Sequence, residues 1–250
     1  MTASATHLLP VQIGACTLYN ADFRDVLPLV GTVDAVITDP PYGDTSLGWD
    51  RWPAGWPGMM HPLARTLWTF GSMRMFLTHG HEFAGWKFCQ DLVWEKQNGS
   101  GFHTDRFRRV HEAALMWYQG EWATLPKTAP RVAVVETGKN GRILRGGKLT
   151  HFGETTRRSG YVYGGTRLAR SVIRAANCHR RAIHPTQKPL AVILPLVAYS
   201  VPVGGVALDP FMGSGSTGEA CLQLGRRFIG IERDPRYFEA AVERLRAASK

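Results

Sequence analysis

The tetrapeptide Asp39-Pro40-Pro41-Tyr42 joins a carboxylate, two prolines and an aromatic ring at the end of a predicted strand. The residues before it, 33–38, are mostly apolar, as is typical of a buried strand. Proline has no N–H to donate to a sheet ladder, so the chain must leave the sheet here in a stiff, extended form. Because ligands of open α/β sheets bind at the carboxyl ends of strands, Asp39 and Tyr42 are candidate site residues. The same residues also fit a rigid turn with a solvated Asp and a packing Tyr.

A second strand, turn and helix pattern lies near the carboxyl end of the sequence. Residues 206–209 predict a buried strand, 210–217 a turn containing glycines, and 218–224 a helix. The next predicted strand, 226–231, is followed by Glu232. An acidic residue about 20 positions after a Gly-rich turn is placed to bind ribose hydroxyls. The turn lacks both the Gly-Lys-Ser/Thr of a P-loop and the third glycine of the dinucleotide fingerprint, so we expect a nucleoside without a phosphate.

Three segments together resemble the S-adenosylmethionine-dependent amino-methyltransferases of DNA. Residues 39–42 resemble the catalytic motif of that family, 209–217 its methionine-binding motif, and 184–189 a motif that precedes it. The order of catalytic motif, basic middle and cofactor motif resembles the beta class of N6-adenine methyltransferases. The resemblance covers residues 18–245 and is weakest over 121–181. It implies an α/β fold with a Rossmann-like, doubly wound methyltransferase sheet, a circularly permuted motif order and an inserted basic target-recognition region.

The resemblance also implies an activity and its residues. The activity is site-specific transfer of a methyl group from S-adenosylmethionine to N6 of a flipped-out adenine in duplex DNA. Asp39 would accept one N–H of the target amine, the Pro40 carbonyl would accept the other, and Tyr42 would stack on the base. The catalytic candidates are Asp39, Pro40, Pro41 and Tyr42. The cofactor-binding candidates are Asp22, Thr186, Lys188, Asp209, Phe211, Gly213, Ser214, Gly215, Ser216, Thr217, Glu232 and Arg233.

Two of these cofactor candidates have a second interpretation. Asp22, which the resemblance pairs with the adenine amino group of the cofactor, could instead cap a short helix over 22–27. Lys188 precedes an apolar predicted helix, 190–199, where the helix dipole disfavours a cation. That mismatch favours a ligand carboxylate near Lys188, and the resemblance implies that its segment lines the methionine part of the cofactor.

The segment 121–181 is strongly basic. It contains thirteen lysines and arginines, and its only acids after Glu121 are Glu136 and Glu154. The whole chain carries a formal net charge of +10, which favours a polyanionic partner. Since the family holds its target-recognition segment at this position, we expect double-stranded DNA as the partner. The candidate DNA-binding residues are Trp49, Arg106, Arg142, Arg145, Arg157, Arg158 and Arg167.

Residues 43–58 form a segment rich in Gly, Trp and Asp with no clear period. A loop of this length in a compact domain is usually functional or mobile. It could close over the target base or contact DNA, and it could equally fold onto the core. Trp49, Trp52 and Trp56 are also the apolar residues that a homodimer interface could use.

The intervening sequence predicts alternating strands and helices. Helices are expected at 59–68 and 82–88, and strands at 73–78 and 92–94, as a doubly wound sheet requires. The pair 111–112, His-Glu, is expected to orient a loop rather than to perform chemistry.

The predicted organisation is one methyltransferase domain in two halves. Residues 1–120 form the catalytic half, 121–181 the target-recognition insertion and 182–250 the cofactor-binding half. No apolar run is long enough to span a bilayer, and residues 1–6 do not resemble a secretory signal, so we expect a cytoplasmic protein with no membrane partner. The cysteines, at 16, 89, 178 and 221, lack metal-ligand spacing, so we expect reduced thiols and no metal.

Three rival functions remain open at this stage. N4-methylation of cytosine uses the same geometry on a similar amine, although the family more often has Ser at the first motif position for cytosine. Asp39 therefore favours adenine. An RNA methyltransferase would also suit the basic middle segment. A DNA-binding regulator with a disused catalytic fold is disfavoured, because Asp39, Tyr42, Gly213, Gly215 and Glu232 are all intact.

Overall fold

The fold is built on a mixed β-sheet, seen in a computed structural model that describes residues 8–100, 104–133, 165–178 and 183–250. Nine strands form the sheet in these ranges, and two more form a separate pair. The strands are β1 (Val11–Ile13), β2 (Cys16–Asn20), β3 (Ala35–Thr38), β4 (Thr66–Gly71), β5 (Lys87–Ser100), β6 (Arg109–Tyr118), β7 (Arg131–Ala133), β8 (Thr166–Leu168), β9 (Val172–Ala175), β10 (Val206–Asp209) and β11 (Arg227–Glu232).

Helices connect these strands. They are α1 (Phe23–Val26), α2 (Trp56–Met59), α3 (Met73–His79), α4 (Leu190–Ser200), α5 (Ser216–Gln223) and α6 (Pro235–Ala248). Short 3-10 turns lie at Leu27–Leu29, Gly80–Phe83 and Trp122–Thr124. Within the described ranges, no helix has the length and apolar character needed to cross a membrane.

The strand order is β1-β2-β11-β10-β3-β4-β6-β5-β9. Five neighbouring strands, β2, β11, β10, β3 and β4, run parallel to one another. Strand β6 is antiparallel to both of its neighbours, β4 and β5. From the central β3 and β10 pair, the chain continues to β4 on one side and to β11 on the other. In open α/β sheets such a reversal leaves a crevice at the carboxyl ends of the two strands, where ligands bind. The predicted doubly wound sheet is confirmed.

The central strands are buried on both faces, which explains their continuous apolar sequences. Successive side chains point to opposite faces, so Ala35 and Ile37 of β3 join one core and Val36 joins the other. The first core is covered by α4, α5 and α6, and the second by α1, α2 and the turn at Gly80–Phe83. Helices on both faces hold β3 and β10 rigidly at the centre.

Residues 129–170 form a compact unit of their own. Its described part is the antiparallel pair of β7 and β8, in which Val132 lies opposite Arg167. The predicted DNA-binding residues Arg142, Arg145, Arg157 and Arg158 lie outside the described residues. The predicted bounds of the insertion, 121–181, stay a prediction.

The predicted helix over 59–68 is wrong. Helix α2 ends at Met59, and the buried strand β4 begins at Thr66. All six residues of β4 are buried, so its sequence shows no alternation of polar and apolar residues that would identify a strand.

The next two predicted elements are also wrong. Residues 73–78 form α3 rather than a strand, and Ser72 caps this helix by accepting a hydrogen bond at Oγ from Met75 N, at 3.1 Å. The predicted helix over 82–88 is instead the end of a 3-10 turn followed by β5. The strand predicted at 92–94 is confirmed as part of β5.

Candidate active site

The two predicted motifs meet at the carboxyl ends of β3 and β10. Thr38, the last residue of β3, donates a hydrogen bond from Oγ1 to Asp209 Oδ1 at 2.6 Å, and Asp209 ends β10. A cavity of about 1640 Å³ opens above this junction. Its walls include all four residues of the predicted catalytic motif and most of the predicted cofactor residues. The sheet topology therefore brings together motifs about 170 residues apart.

The predicted catalytic carboxylate lies at the end of a chain of buried charges. Asp39 Oδ2 accepts a hydrogen bond from Lys188 Nζ, Lys188 Nζ lies 3.4 Å from Glu112 Oε2, and Glu112 Oε1 pairs with Lys96 Nζ. The side chains of Lys188, Glu112, Lys96 and Asp39 are only 5, 10, 13 and 16% exposed. Asp39 Oδ1 is buried and has no hydrogen-bond partner among the described residues.

Burial and charge act against each other in this chain. Burial raises the pKa of Asp39 above its usual range; Lys188 opposes this rise, and the nearby Glu112 adds to it. Burial alone would also raise the pKa of Glu112, but Lys188 and Lys96 outweigh it and hold that pKa at about 2. Burial would lower the pKa of Lys188, yet Asp39 and Glu112 raise it. The lysine is therefore a cation and Glu112 a carboxylate throughout the neutral range.

The structure adds contacts that two expectations about this charged chain did not include. Glu112, expected to orient a loop, lies on β6 with its carboxylate between two lysines. Lys188 pairs with two carboxylates of the protein itself, and a ligand carboxylate near it stays a prediction. Lys96, on β5, belongs to a segment, 94–96, that resembles family segments flanking the target pocket, but it was not among the predicted site residues, because nothing in its local spacing links it to residues on other strands.

Asp50 fixes the loop that follows the catalytic motif. Its Oδ1 accepts hydrogen bonds from the N–H groups of Tyr42, at 2.9 Å, and Gly43, at 2.8 Å. Its Oδ2 accepts from Thr45 N at 2.8 Å and from Thr45 Oγ1 at 2.7 Å. The side chain is buried. Sequence reasoning missed Asp50, because its position in the sequence does not distinguish it from a solvated loop residue.

Tyr42 lies beside Asp39 on the wall of the cavity. Burial raises the pKa of its phenol strongly, and the Asp39 carboxylate adds to the rise. Tyr42 is therefore a neutral ring at physiological pH, as a stacking role requires.

The glycine-containing turn also lines the cavity. Gly213 and Gly215 have φ values of +48° and +73°, which side chains rarely adopt. Gly213 N donates to Glu232 Oε2 at 3.0 Å, and Asp234 N donates to Oε1 at 2.7 Å. Burial raises the pKa of Glu232 above its usual range. A Cβ on Gly213 would lie 3.5 Å from the His184 ring, so the turn packs closely against the segment that precedes α4.

Several predicted cofactor residues form hydrogen bonds with other residues of the protein. Asp209 accepts from Thr217 Oγ1 at 2.9 Å and from Phe211 N at 3.1 Å, in addition to Thr38. Burial raises the pKa of Asp209 to about 7, against the effect of these hydrogen bonds. Ser216 Oγ donates to the Lys188 carbonyl at 3.0 Å. These contacts show how the turn is held in place.

Arg244 is a further support of this turn that sequence reasoning missed. It reaches from α6 to the Ser214 carbonyl, at 3.2 Å, and to Ser216 Oγ, at 3.0 Å. It also pairs with Glu219 on α5. An arginine in an amphipathic helix normally suggests an exposed face, so no local signal marks this one.

Asp22, Thr186 and Arg233, also predicted cofactor residues, line the cavity as well. Asp22 caps α1 by accepting from Arg24 N at 3.0 Å, so its capping interpretation is confirmed. It also lies 3.9 Å from the guanidinium of Arg233, and both residues line the cavity. Thr186 contacts His184 Nδ1 through its hydroxyl at 3.1 Å.

The tryptophan-rich loop folds onto the protein, which was one of its two expected arrangements. Trp56 is fully buried, and Trp52 stacks on His79 with ring centroids 4.2 Å apart. Trp49 packs against His184 at 5.2 Å and Tyr237 at 6.4 Å, on the cofactor-motif side of the cavity. A DNA contact by Trp49 stays a prediction.

Arginines line the cavity mouth, and two of them, Arg74 and Arg109, pair with Asp44. Arg106, Phe107 and Arg109, from the connection between β5 and β6 and the start of β6, line it together with Arg74. The ring of Phe107 is fully exposed. Arg167, another predicted DNA-binding residue, is exposed on β8 of the other unit. Among the described residues, no group of three or more His, Cys, Asp or Glu side chains could hold a metal ion.

Sequence comparison places this site in a known family. The family model for DNA methylases, of the N6 and N4 methyltransferase type, matches residues 33–243. The chain belongs to the DNA methylase family. The match spans both motifs and the segment between them, so it agrees with the resemblance seen in the sequence.

Individual members of the DNA methylase family show the same relationship. The chain is 29% identical over 185 residues to the Type II methyltransferase M.HinfI of Haemophilus influenzae, covering 72% of this chain and 46% of that protein. It is 27% identical over 187 residues to the Type II methyltransferase M2.DpnII of Streptococcus pneumoniae, covering 74% and 62%. This chain thus spans less than two thirds of the length of either relative.

A solved structure confirms the fold of this DNA methylase family member. The crystal structure of an M1.HpyAVI–SAM complex matches with a TM-score of 0.62 and 25% identity, covering 92% of this chain and 99% of that chain. The predicted α/β methyltransferase sheet is therefore confirmed.

Proposed function

We propose that this chain is an S-adenosylmethionine-dependent methyltransferase that modifies N6 of adenine in double-stranded DNA. One observation carries the proposal: Asp39 Oδ1 is a buried acceptor to which no described residue donates, in a cavity that the Gly213 turn also lines. A buried polar atom without a partner is costly, so such an atom in a cavity indicates a ligand that donates to it. Membership in the DNA methylase family and the bound SAM named for M1.HpyAVI support the same assignment.

The residues of the cavity fit the cofactor. Glu232 presents a half-buried carboxylate at the end of β11, which suits ribose hydroxyls, and Asp22 lines the same cavity. Gly213 lets the backbone approach a ligand, because a side chain at its positive φ would be strained and would touch His184. When bound, S-adenosylmethionine supplies a methyl group that its sulfonium already activates for transfer.

The chain itself must activate and orient the acceptor. The exocyclic amine of adenine is a poor nucleophile, since its lone pair is delocalised into the ring. Asp39 Oδ1 accepts one N–H and the Pro40 carbonyl accepts the other, which pulls the nitrogen toward tetrahedral geometry. Asp39 need not remove a proton first, because the amine becomes acidic as it gains the methyl group. The neutral ring of Tyr42 stacks on the base and holds it in line.

The base must leave the duplex to reach Asp39 Oδ1, which lies buried inside the cavity. The mouth, lined by Arg74, Arg106 and Arg109, suits the phosphates that flank an extruded nucleotide. The net charge of +10 adds a long-range attraction to DNA. The charge distribution therefore favours a polyanionic partner, and membership in the DNA methylase family supports double-stranded DNA as that partner.

Product analysis tests the proposal. The protein is incubated with S-adenosylmethionine and mixed-sequence unmethylated duplex DNA, which is then digested to nucleosides and analysed by mass. We expect N6-methyladenine with the wild type. We expect a loss of at least about 10²-fold with Asp39→Ala, typical of removing a group that acts on the reacting atoms. Asp91→Ala, which removes an exposed carboxylate on β5, is the matched control.

The products separate the rival assignments. N4-methylcytosine would keep the mechanism and overturn the base, and methylated RNA in a parallel reaction would overturn the substrate. Near-normal methylation by Asp39→Ala would overturn the role of the carboxylate. Because the variant should still bind the cofactor, calorimetric titration with S-adenosylmethionine shows whether an inactive variant remains folded.

A further inference from the structure

The buried charges behind Asp39 exceed what the proposed methyl transfer requires. Lys96 and Glu112 come from adjacent strands, Lys188 from the segment before α4, and Asp39 from the loop after β3. When all four are ionised, the positive and negative charges alternate and cancel. Burying ion pairs usually adds little stability compared with apolar packing, so a buried chain of four charges next to a cavity suggests a functional role.

Aromatic rings hold the two cations in place. Lys188 Nζ lies 5.3 Å from the centroid of the Phe70 ring, and Lys96 Nζ lies 4.8 Å from that of Trp94. Both distances are within the range of cation–π attraction. The rings also exclude water from one side of each ammonium group, which strengthens its pairing with the carboxylates.

Three oxygen atoms of the protein surround the ammonium group of Lys188, and two of them accept hydrogen bonds from it. An ammonium group has three N–H donors. Lys188 Nζ donates to Asp39 Oδ2 and to the Thr186 carbonyl at 3.3 Å, and its ion pair with Glu112 Oε2 spans 3.4 Å. The sequence resemblance assigned Lys188 to the methionine part of the cofactor. The geometry instead directs this side chain toward the predicted catalytic carboxylate.

We infer that Lys188 is a positioning residue for Asp39. By occupying Oδ2, it leaves Oδ1 as the oxygen presented to the target amine, and its charge opposes the rise in the pKa of Asp39 that burial causes. Glu112, itself held by Lys96, fixes the ammonium group from behind. The catalytic part of this inference rests on the proposed function. The contact between Lys188 and Asp39 does not depend on that function.

The inference predicts opposite effects for two substitutions. The titratable groups facing Asp39 are Lys188, Lys96, Glu112, Tyr42 and Asp209. Replacing Lys188 with a neutral residue removes the main opposing cation, so the pKa of Asp39 should rise further. Replacing Glu112 with glutamine removes a nearby negative charge, so the pKa of Asp39 should fall. A purely structural role would not produce opposite signs.

The experiment measures three quantities for Lys188→Gln, Lys188→Arg, Glu112→Gln and the control Lys87→Gln, whose lysine is exposed. They are S-adenosylmethionine affinity by calorimetry, kcat as a function of pH, and the titration of the Asp39 carboxyl carbon by NMR in the protein without ligands. For Lys188→Gln we expect cofactor affinity within about threefold of wild type and kcat lower by about 10²-fold. The acidic limb of its kcat profile should move to higher pH.

The other variants complete the test. Glu112→Gln should move the acidic limb and the NMR titration of Asp39 to lower pH, and Lys188→Arg should recover part of the lost kcat. If Lys188→Gln does not fold, the sign of the Glu112→Gln shift decides the outcome. Loss of cofactor affinity with an unchanged Asp39 titration would overturn the inference. A wild type that methylates no DNA would overturn the proposed function instead, while the NMR titrations would still report the contact.

Discussion

Replacing Asp50 should both destabilise the protein and disorder the catalytic loop. In Asp50→Ala, the N–H groups of Tyr42, Gly43 and Thr45 and the Thr45 hydroxyl lose their common acceptor. A hydrogen bond to a charged group contributes about 1.5–3 kcal/mol. Four such bonds at one carboxylate are not independent, and water can enter the loop, so we expect a loss of about 3–4 kcal/mol in the free energy of unfolding.

Asp50→Asn should have about half this effect. The asparagine carbonyl can still accept from Tyr42 and Gly43 in place of Oδ1. Its NH₂ group would face the Thr45 N–H, so two donors would oppose each other where Oδ2 now accepts. The graded order of wild type, Asp50→Asn and Asp50→Ala is thus a direct consequence of the contacts.

Thermal and urea unfolding, followed by circular dichroism, measure this loss. A loss of 3–4 kcal/mol corresponds to a fall in Tm of about 6–16 °C for a chain of this size. Methylation assays at a temperature where every variant is folded should show a higher KM for DNA, because Tyr42 is less well placed. Equal stability of Asp50→Ala and wild type would refute the conclusion that Asp50 anchors the loop.

Two further predictions concern the junction of β3 and β10 and the cavity mouth. Folding raises the pKa of Asp209 from its ordinary value near 3.8 to about 7. The protonated Asp209 side chain therefore contributes fully to the free energy of unfolding below about pH 4, and this contribution is lost as the pH rises toward 7. Asp209→Asn keeps acceptors for Thr38 and Phe211, so urea unfolding should show less decline in its stability between pH 4 and 7; an unchanged decline would contradict this account. Phe107→Ala should raise the KM for duplex DNA about tenfold and leave cofactor affinity unchanged, because base stacking on an aromatic contributes about 1–3 kcal/mol. Phe88→Ala, at another exposed ring, is the control, and equal KM values for the two variants would contradict a DNA contact at Phe107.

The central part of the fold was predictable from local sequence. Residues 206–209 form a short apolar run bounded by glycines and a proline, and the structure has β10 at these positions. The motif at 39–42 marks the end of β3 because two prolines cannot extend a sheet. Where the local residue types are compatible with only one kind of secondary structure, the predicted element is confirmed.

Prediction from local sequence failed where complete burial removes the alternation of polar and apolar residues. Thr66–Gly71 is buried on both faces, so its sequence lacks alternation, and the neighbouring α3 is too short to show a clear helical period. The Ser72 cap was the available signal for α3, and it indicates where that helix begins.

The charged chain at the site was not predictable for a different reason. Lys188 and Asp39 are 149 positions apart, and Glu112 and Lys96 belong to other strands. Asp39 and Lys188 were each predicted as site residues from local signals, but nothing in the local sequence links them to each other or to Lys96 and Glu112. Only the sheet order brings the four together, so their joint role becomes visible only in three dimensions.

The hydrogen bond between Thr38 and Asp209 also bears on how the protein is made in the cell. On the ribosome, β3 and β4 are synthesised long before β10, which lies between β3 and β11 in the finished sheet. Until residues 206–209 emerge, one edge of β3 has no neighbouring strand, and its apolar residues Val36 and Ile37 lack part of their cover. A nascent chain must therefore be kept from pairing with other chains until residues 206–209 emerge. The cavity cannot form before both β10 and β11 have been translated.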